Sequence, residues 1–188
     1  MNASLIAQAH WPSPLGTITL AATADGLAGA WFDAQKHHPG PLAAPVDPQQ
    51  RFIAQAIAEL GDYFNGMPRG FQVPLDLQGT PFQRAVWQAL LAVTPGRTST
   101  YARIAQALGI PNAARAAGTA VGRNPVSIIV PCHRVLGHDG SLTGYAGGLA
   151  RKAALLAIEG VTSRLPQAPM DNAQLPAEEQ GSALMTAA

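Results

Sequence analysis

The sequence predicts an α+β fold in two parts, an antiparallel sheet with one helix followed by a mainly helical half. Three observations predict it. Apolar residues alternate with polar ones through the first third, between Pro and Gly turn signals. From about Gly79 the apolar positions recur at helical spacing instead. Charge divides at the same place. Residues 1–79 hold three basic side chains against six carboxylates, whereas residues 80–164 hold nine against two, a net of +7. A concentrated, mostly arginine positive segment suits a phosphate backbone, although a solvated basic surface would read the same way on charge alone.

Composition narrows the classes. At 188 residues, 47% hydrophobic and 12% charged, the chain can bury a core as one large domain or two small ones, which excludes a wholly disordered protein. No apolar run reaches the ~18–20 residues of a membrane helix. Residues 1–16 have neither the basic n-region nor the apolar h-region of a secretory signal. The single cysteine, Cys132, rules out an internal disulfide and a Cys-rich zinc site, and the expected compartment is a reducing cytoplasm.

In order, strands are expected over 5–11, 15–21 and 27–32, separated by Pro12-Ser13-Pro14 and Asp25-Gly26. A Pro-rich loop leads to Asp47 as a helix cap with Pro48 in the first turn. Ile53, Ile57, Leu60 and Phe64 then define a helix over 48–64. Residues 71–75 read as one more strand. Beyond Gly79, Thr80 caps a helix that starts at Pro81, and Gln83 completes a capping box. Phe82, Val86 and Leu90 line one face of that helix, with Trp87 and Leu91 beside them, and Thr94-Pro95-Gly96 stops it. A short helix over 100–108 ends at Gly109. Asn112 then caps a third, over 113–121, which Gly122 stops. Two short helices across a Gly-containing turn have the form of a helix-turn-helix, or of an ordinary αα-hairpin. The second is unusual in its run of small side chains, Ala113-Ala114-Arg115-Ala116-Ala117-Gly118-Thr119-Ala120. Such a helix can approach another surface closely and present its one arginine. Residues 127–130 read as a short apolar strand, and Asp139-Gly140 as a tight hairpin turn. A Gly-rich loop, 144–148, precedes a last helix over 149–159, ended by Gly160. The domain division is 1–78, 79–164, and a disordered Ala/Pro/Gln-rich tail over 165–188.

Cys132 is the chemical pivot. A lone cysteine in an apolar protein is most often an inert core residue. Its neighbours argue otherwise. His133 is an adjacent base, Pro131 fixes a sharp turn that leaves the sulfur at the mouth of a site, and Arg134 adds positive potential. The thiolate is the nucleophile, and a free thiol with a pKa of about 8.5 is mostly protonated at neutral pH. A histidine backed by a carboxylate solves that problem. Only Asp139 and Glu159 supply carboxylates in this half.

Pro131-Cys132-His133-Arg134-Val135, preceded by Ile128-Ile129-Val130, is similar to the active-site signature of the O6-alkylguanine-DNA alkyltransferases. The resemblance runs from about Gly79 to Gly160. It takes in Gly79-Thr80-Pro81-Phe82-Gln83, Ser99-Thr100-Tyr101, Ala113-Ala114-Arg115-Ala116, Arg123-Asn124-Pro125, Gly144-Tyr145-Ala146-Gly147-Gly148 and Leu155-Leu156-Ala157-Ile158-Glu159-Gly160. Six segments in the right order are highly specific. The N-terminal third resembles the family only in size and coarse pattern.

The resemblance implies a ribonuclease H-like N-terminal domain and a winged-helix-like C-terminal domain with the helix-turn-helix. It also implies direct, single-turnover repair of duplex DNA carrying O6-alkylguanine, and of O4-alkylthymine. The base is flipped out through the minor groove and the alkyl group moves onto Cys132. By the same resemblance, His133 acts on Cys132 through a water and Glu159 orients His133. Asn124 holds the active-site turn, and Tyr101 assists departure of guanine. Carbonyls of Cys132 and Val135 receive the guanine amine, the Ala146 N–H faces the leaving oxygen, and Tyr145 walls the pocket. Arg115 fills the vacated stack, with Ala114 and Arg123 also on DNA. No cofactor, no metal, no membrane and a monomeric state are expected. Ala146 stands where certain relatives carry serine, and Ser127 where some have proline. His37-His38 lacks the partners of the zinc site found in some relatives. Two rival classes remain. One is a non-catalytic lesion-binding protein on the same scaffold, which Cys132 argues against. The other is a Cys-His hydrolase unrelated to DNA, which the basic segment and small-residue helix argue against.

Overall fold

A computed structural model describes residues 4–161. The expected tail over 165–188 lies outside the described residues. The N-terminal sheet is a meander of β1 (Ala7–Ser13), β2 (Gly16–Ala22) and β3 (Leu27–Phe32), antiparallel in the order β1-β2-β3. Pro12 and Ser13, expected in the first turn, are the last residues of β1 instead. Because β1 is an edge strand, proline's missing N–H costs no ladder bond there. The turn falls at 14–15 and closes on Gly16, whose φ of +107° suits glycine.

Helix α1 (Arg51–Phe64) lays Phe52, Ile53, Ala56, Leu60 and Tyr63 into the core. Its cap is not Asp47 but Gln50, whose side chain accepts from the N–H groups of Phe52 and Ile53. Asp47 instead closes the preceding turn, accepting from the Gln49 N–H at 3.0 Å. The strand expected over 71–75 is absent. That segment crosses beside β3 through a single parallel bridge, Leu27 to Leu75, and is otherwise irregular.

The helical half contains α2 (Pro81–Leu91), α3 (Tyr101–Ala107), α4 (Ala114–Gly122) and α5 (Leu149–Ile158). The capping box at α2 forms as expected, Thr80 Oγ1 accepting from the Gln83 N–H and Gln83 Oε1 from the Thr80 N–H. Removing one cap is worth ~1 kcal/mol. Thr80→Ala is therefore expected to lower the unfolding free energy measured in urea by that much while leaving the chemistry of the chain intact. Trp87 of α2 donates its indole N–H to the Ala120 carbonyl at 2.9 Å, locking α2 onto the small-residue helix α4. A single 3₁₀ turn, Pro111–Ala113, precedes α4, so Asn112 does not cap it and no side chain does.

Two short strands, β4 (Ser99–Thr100) and β5 (Val135–Leu136), pair in parallel and draw the start of α3 beside the residues that follow Cys132. The Asp139-Gly140 turn does form, but its second arm is not a strand. One continuous apolar core runs from the sheet through α1 and α2 to Ile104, Ala117, Val130 and Leu155. The expected class, an antiparallel three-stranded sheet with a helical C-terminal half, is the one observed. No helix among the described residues is long and apolar enough to cross a membrane.

Candidate active site

The expected strand over 127–130 is a turn. Val126 makes one parallel bridge with Ala30, after which the chain reverses with Ile128 at φ +72°. A β-branched residue in that conformation is disfavoured and persists only when its surroundings impose it. Asn124 imposes it here. Its Oδ1 accepts from the Val126 N–H at 3.0 Å, and its Nδ2 donates to the Val130 carbonyl at 2.8 Å and to Cys132 Sγ at 3.0 Å. One amide thus ties the turn to the sulfur.

Cys132 opens a single 3₁₀ turn, Cys132–Arg134, in which all three side chains are buried. The sulfur is therefore not at an open mouth. Cys132 is 5% exposed, and burial pushes its thiol up from the ordinary value. The Asn124 hydrogen bond and the nearby Lys152 charge pull the other way.

His133 Nε2 lies 2.8 Å from Glu159 Oε1. Burial lowers the imidazole pKa below its ordinary value despite that carboxylate, so the ring is neutral at pH 7. A neutral ring that donates from Nε2 leaves Nδ1 as a lone pair, and Nδ1 has no protein partner among the described residues. Glu159, the residue capping the end of α5, also accepts from Arg134 Nε at 2.8 Å, Arg134 Nη2 at 2.9 Å and the Tyr63 hydroxyl at 2.8 Å. Burial alone would raise this carboxyl, but the hydrogen bonds from His133 and Arg134 hold it at about 2. Arg134 also donates to the Val93 carbonyl. It therefore serves as the carboxylate's counter-ion rather than as free potential beside the sulfur.

Lys152 is fully buried on α5, its Nζ donating to the carbonyls of Val135 at 2.5 Å and Thr143 at 2.6 Å. Burial lowers its pKa to about 8, and the Cys132 charge acts against that. Counting Arg134, Lys152 and Glu159, the buried cluster is +1 with a thiol and neutral with a thiolate, a bias toward releasing the proton. Lys152→Met is expected to raise the pH at which Cys132 alkylates, because the cation that favours the thiolate is gone. A pH–rate profile with a small alkylating agent measures it.

A cleft of about 700 Å³ lies between the helix pair α3/α4 and the Gly-rich loop, and Cys132, Asn124, His133, Val135 and Glu159 are not among the residues that line it. Tyr101, Ala114, Arg115, Arg123, Tyr145 and Ala146 all line it, so six of the sequence-selected residues meet around one cleft. Tyr101 packs against Gly118, where a Cβ would sit 3.3 Å from the ring, and its hydroxyl accepts from Thr143 Oγ1 at 3.3 Å. Tyr145 is half-buried. Burial of its hydroxyl raises its pKa well above the ordinary value, and the nearby Cys132 charge adds to the shift. The Val135 carbonyl, expected to face substrate, already accepts from Lys152, so one lone pair remains for another donor.

Sequence reading missed Tyr63, Lys152 and Gln35. Two carried a weak signal and Gln35 carried none in the sequence. Tyr63 and Lys152 are polar groups on otherwise apolar helix faces, and Gln35 is buried between flanking exposed residues.

A buried thiol held by Asn124, next in the chain to a neutral imidazole paired with a carboxylate, has the components from which a nucleophilic sulfur can be generated. Comparison with known proteins agrees with that class. Residues 6–77 match the ribonuclease-like domain of 6-O-methylguanine DNA methyltransferase, and residues 81–161 match its DNA-binding domain. The chain is 46% identical over 147 residues to the methylated-DNA–protein-cysteine methyltransferase of Mycolicibacterium paratuberculosis, covering 78% of this chain and 88% of the relative. It is 44% identical over 149 residues to that of Methanosarcina barkeri, covering 78% and 92%. The crystal structure of Mycobacterium tuberculosis OGT in complex with DNA superposes with a TM-score of 0.75 at 44% identity, covering 82% of this chain and 92% of that one. The chain belongs to the 6-O-methylguanine DNA methyltransferase family.

Proposed function

We propose that this protein repairs duplex DNA directly, moving the alkyl group from O6 of guanine, and from O4 of thymine, onto Cys132 in a single turnover. The observation that carries this reading is the Cys132–Asn124 contact beside the buried His133–Glu159 pair. His133 Nδ1, the free lone pair, takes the thiol proton through a water. The thiolate attacks the alkyl carbon, a C–S bond forms and the C–O6 bond breaks with its electron pair going to oxygen. Tyr101 donates toward the departing base, which leaves neutral once protonated. The thioether is not reversed, so each chain acts once.

The alkyl carbon is out of reach in stacked DNA, so the base must be extruded, at a cost of a few kcal/mol. Arg115 enters the vacated stack from α4, whose Ala and Gly side chains let the helix approach the minor groove. Ala114 and Arg123 also contact DNA, Asn124 holds the turn, and Tyr145 walls the pocket. The guanine amine donates to the carbonyls of Cys132 and Val135, while the Ala146 N–H faces O6. Residues 1–78 form the supporting domain and 79–164 the DNA-binding alkyltransferase domain. A free thiol nucleophile keeps its function in a reducing compartment, which favours the cytoplasm.

Arg115→Ala is expected to lose most transfer on a paired lesion and to recover in part when the lesion sits opposite a mismatch, where extrusion costs less. Equal loss on both substrates would remove Arg115 from that role. The whole reading is tested by a duplex whose single O6-methylguanine blocks a restriction site. Cleavable duplex is expected to accumulate up to the amount of protein added and then stop. No cleavable product, or continued turnover, would overturn it.

A further inference from the structure

We propose that the N-terminal half takes part in DNA binding through Lys36 and His37, which form a basic wall of the cleft opposite Arg115 and Arg123 and hold a phosphate beside the extruded nucleotide. The inference rests on the reading that the partner is duplex DNA.

The first observation is placement. Lys36 and His37 line the same cleft as Arg115 and Arg123, and no carboxylate among the described residues lines it. Both residues are exposed, so their polar atoms are available to a ligand. The nearest acid in the loop, Asp33, lines a different cleft with His10 and Thr19. Lys36 is the only lysine in the acidic first 79 residues, and it sits where that half meets the basic helix pair.

The second observation is how firmly the loop is built. Ala34 and His37 both have positive φ, 58° and 65°, without being glycine. Such residues persist only where the surroundings over-determine them, and they cluster at ligand clamps. Gln35 supplies the determination. It is buried, and its Oε1 accepts from the Phe32 N–H at 2.9 Å and from Ser127 Oγ at 3.1 Å. The Lys36 N–H donates to the Ala146 carbonyl at 2.9 Å. The loop is thus fastened to the active-site turn on one side and the Gly-rich loop on the other, through backbone and through Gln35. The side chains of Lys36 and His37 are spared from that work.

The third observation is crowding of positive charge. Burial first, then Arg123 and Lys36, lower the His37 pKa, so both cations lie within electrostatic reach of it. A phosphate placed there relieves repulsion that the free protein carries. At neutral pH, Lys36 supplies the charge and His37 a neutral hydrogen-bond donor.

The test compares wild type with Lys36→Ala and with the Lys36→Ala/His37→Ala double variant. Affinity for unmodified duplex DNA is measured across salt concentrations, and methyl transfer from free O6-methylguanine base is measured alongside. Removing one cation that pairs with a phosphate should reduce the slope of log K against log salt by about 0.9. The expected result is that drop for Lys36→Ala, weaker duplex binding at low salt, and unchanged transfer from the free base. An unchanged slope and affinity would overturn the inference while leaving the repair reading intact. Slower transfer from the free base at an unchanged slope would overturn it too, by making Lys36 a support of the pocket loop. A wild type with no salt-sensitive duplex affinity would instead sink the repair reading on which the inference stands.

Discussion

Glu159→Gln is expected to lower the unfolding free energy by about 3–5 kcal/mol and to raise the pH at which Cys132 becomes reactive. The carboxylate is buried and accepts four hydrogen bonds, from His133, Tyr63 and two nitrogens of Arg134. A glutamine keeps the shape but supplies only one acceptor oxygen, and its amide hydrogens meet other donors. The Arg134 guanidinium is left buried without its counter-charge, which is the costly way to break such a pair. His133 loses the carboxylate that fixes its Nε2–H tautomer, so Nδ1 is no longer reserved for the proton-accepting role proposed for it. Urea midpoints and a pH–rate profile of Cys132 alkylation read the two effects separately. An unchanged profile would remove Glu159 from the relay.

The same carboxylate sets the acid limb of stability. Its folded pKa, about 2, lies below its ordinary value, so its contribution is present above about 4.5 and is lost as pH falls toward 2. His133 acts in the same direction from higher pH. Its folded pKa is depressed, so the unfolded chain takes a proton first and stability declines as pH drops below about 6.5. Wild type is expected to weaken in two stages on acidification. Glu159→Gln is expected to lose only the lower one.

Cys132→Ser carries the second large effect. Transfer is expected to vanish over any time course, while affinity for lesion-bearing duplex stays within a few-fold of wild type. A serine hydroxyl at this position still accepts from Asn124, so the turn is retained, and no residue of the cleft lining is changed. It cannot become an alkoxide with a neutral imidazole as base, because its proton is held far more tightly than that of a thiol. Gel-shift titration against the lesion duplex and a methyl-acceptance assay separate the two properties.

What was legible in the sequence was local. The Thr80–Gln83 capping box, the three strands β1–β3 and the Gly109 stop depend on residues within a few positions of one another, and all appear, although β3 is buried along its whole length rather than on alternate residues. The Cys132-His133 dipeptide, the small-residue helix and Glu159 were legible through their motif. What was not legible depends on distant parts of the chain. Tyr63 reaches Glu159 across 96 positions, and Gln35 reaches Ser127 across 92. Residues 127–130 look like a strand because they are apolar and β-branched, yet Asn124 and the bridge to Ala30 bend them into a turn. β4 and β5 are two residues each, too short for any period to mark. The exposed sulfur was expected from its motif, but the aliphatic and polar groups around it come from separate elements far apart in the chain.

The most direct measurement is peptide mass mapping of the full chain after reaction with excess duplex containing O6-methylguanine. A single methyl group is expected, on the peptide carrying Cys132, saturating at one per chain as guanine is restored. Restored guanine without a methylated Cys132 peptide, or a methyl on another side chain, would refute transfer to this sulfur.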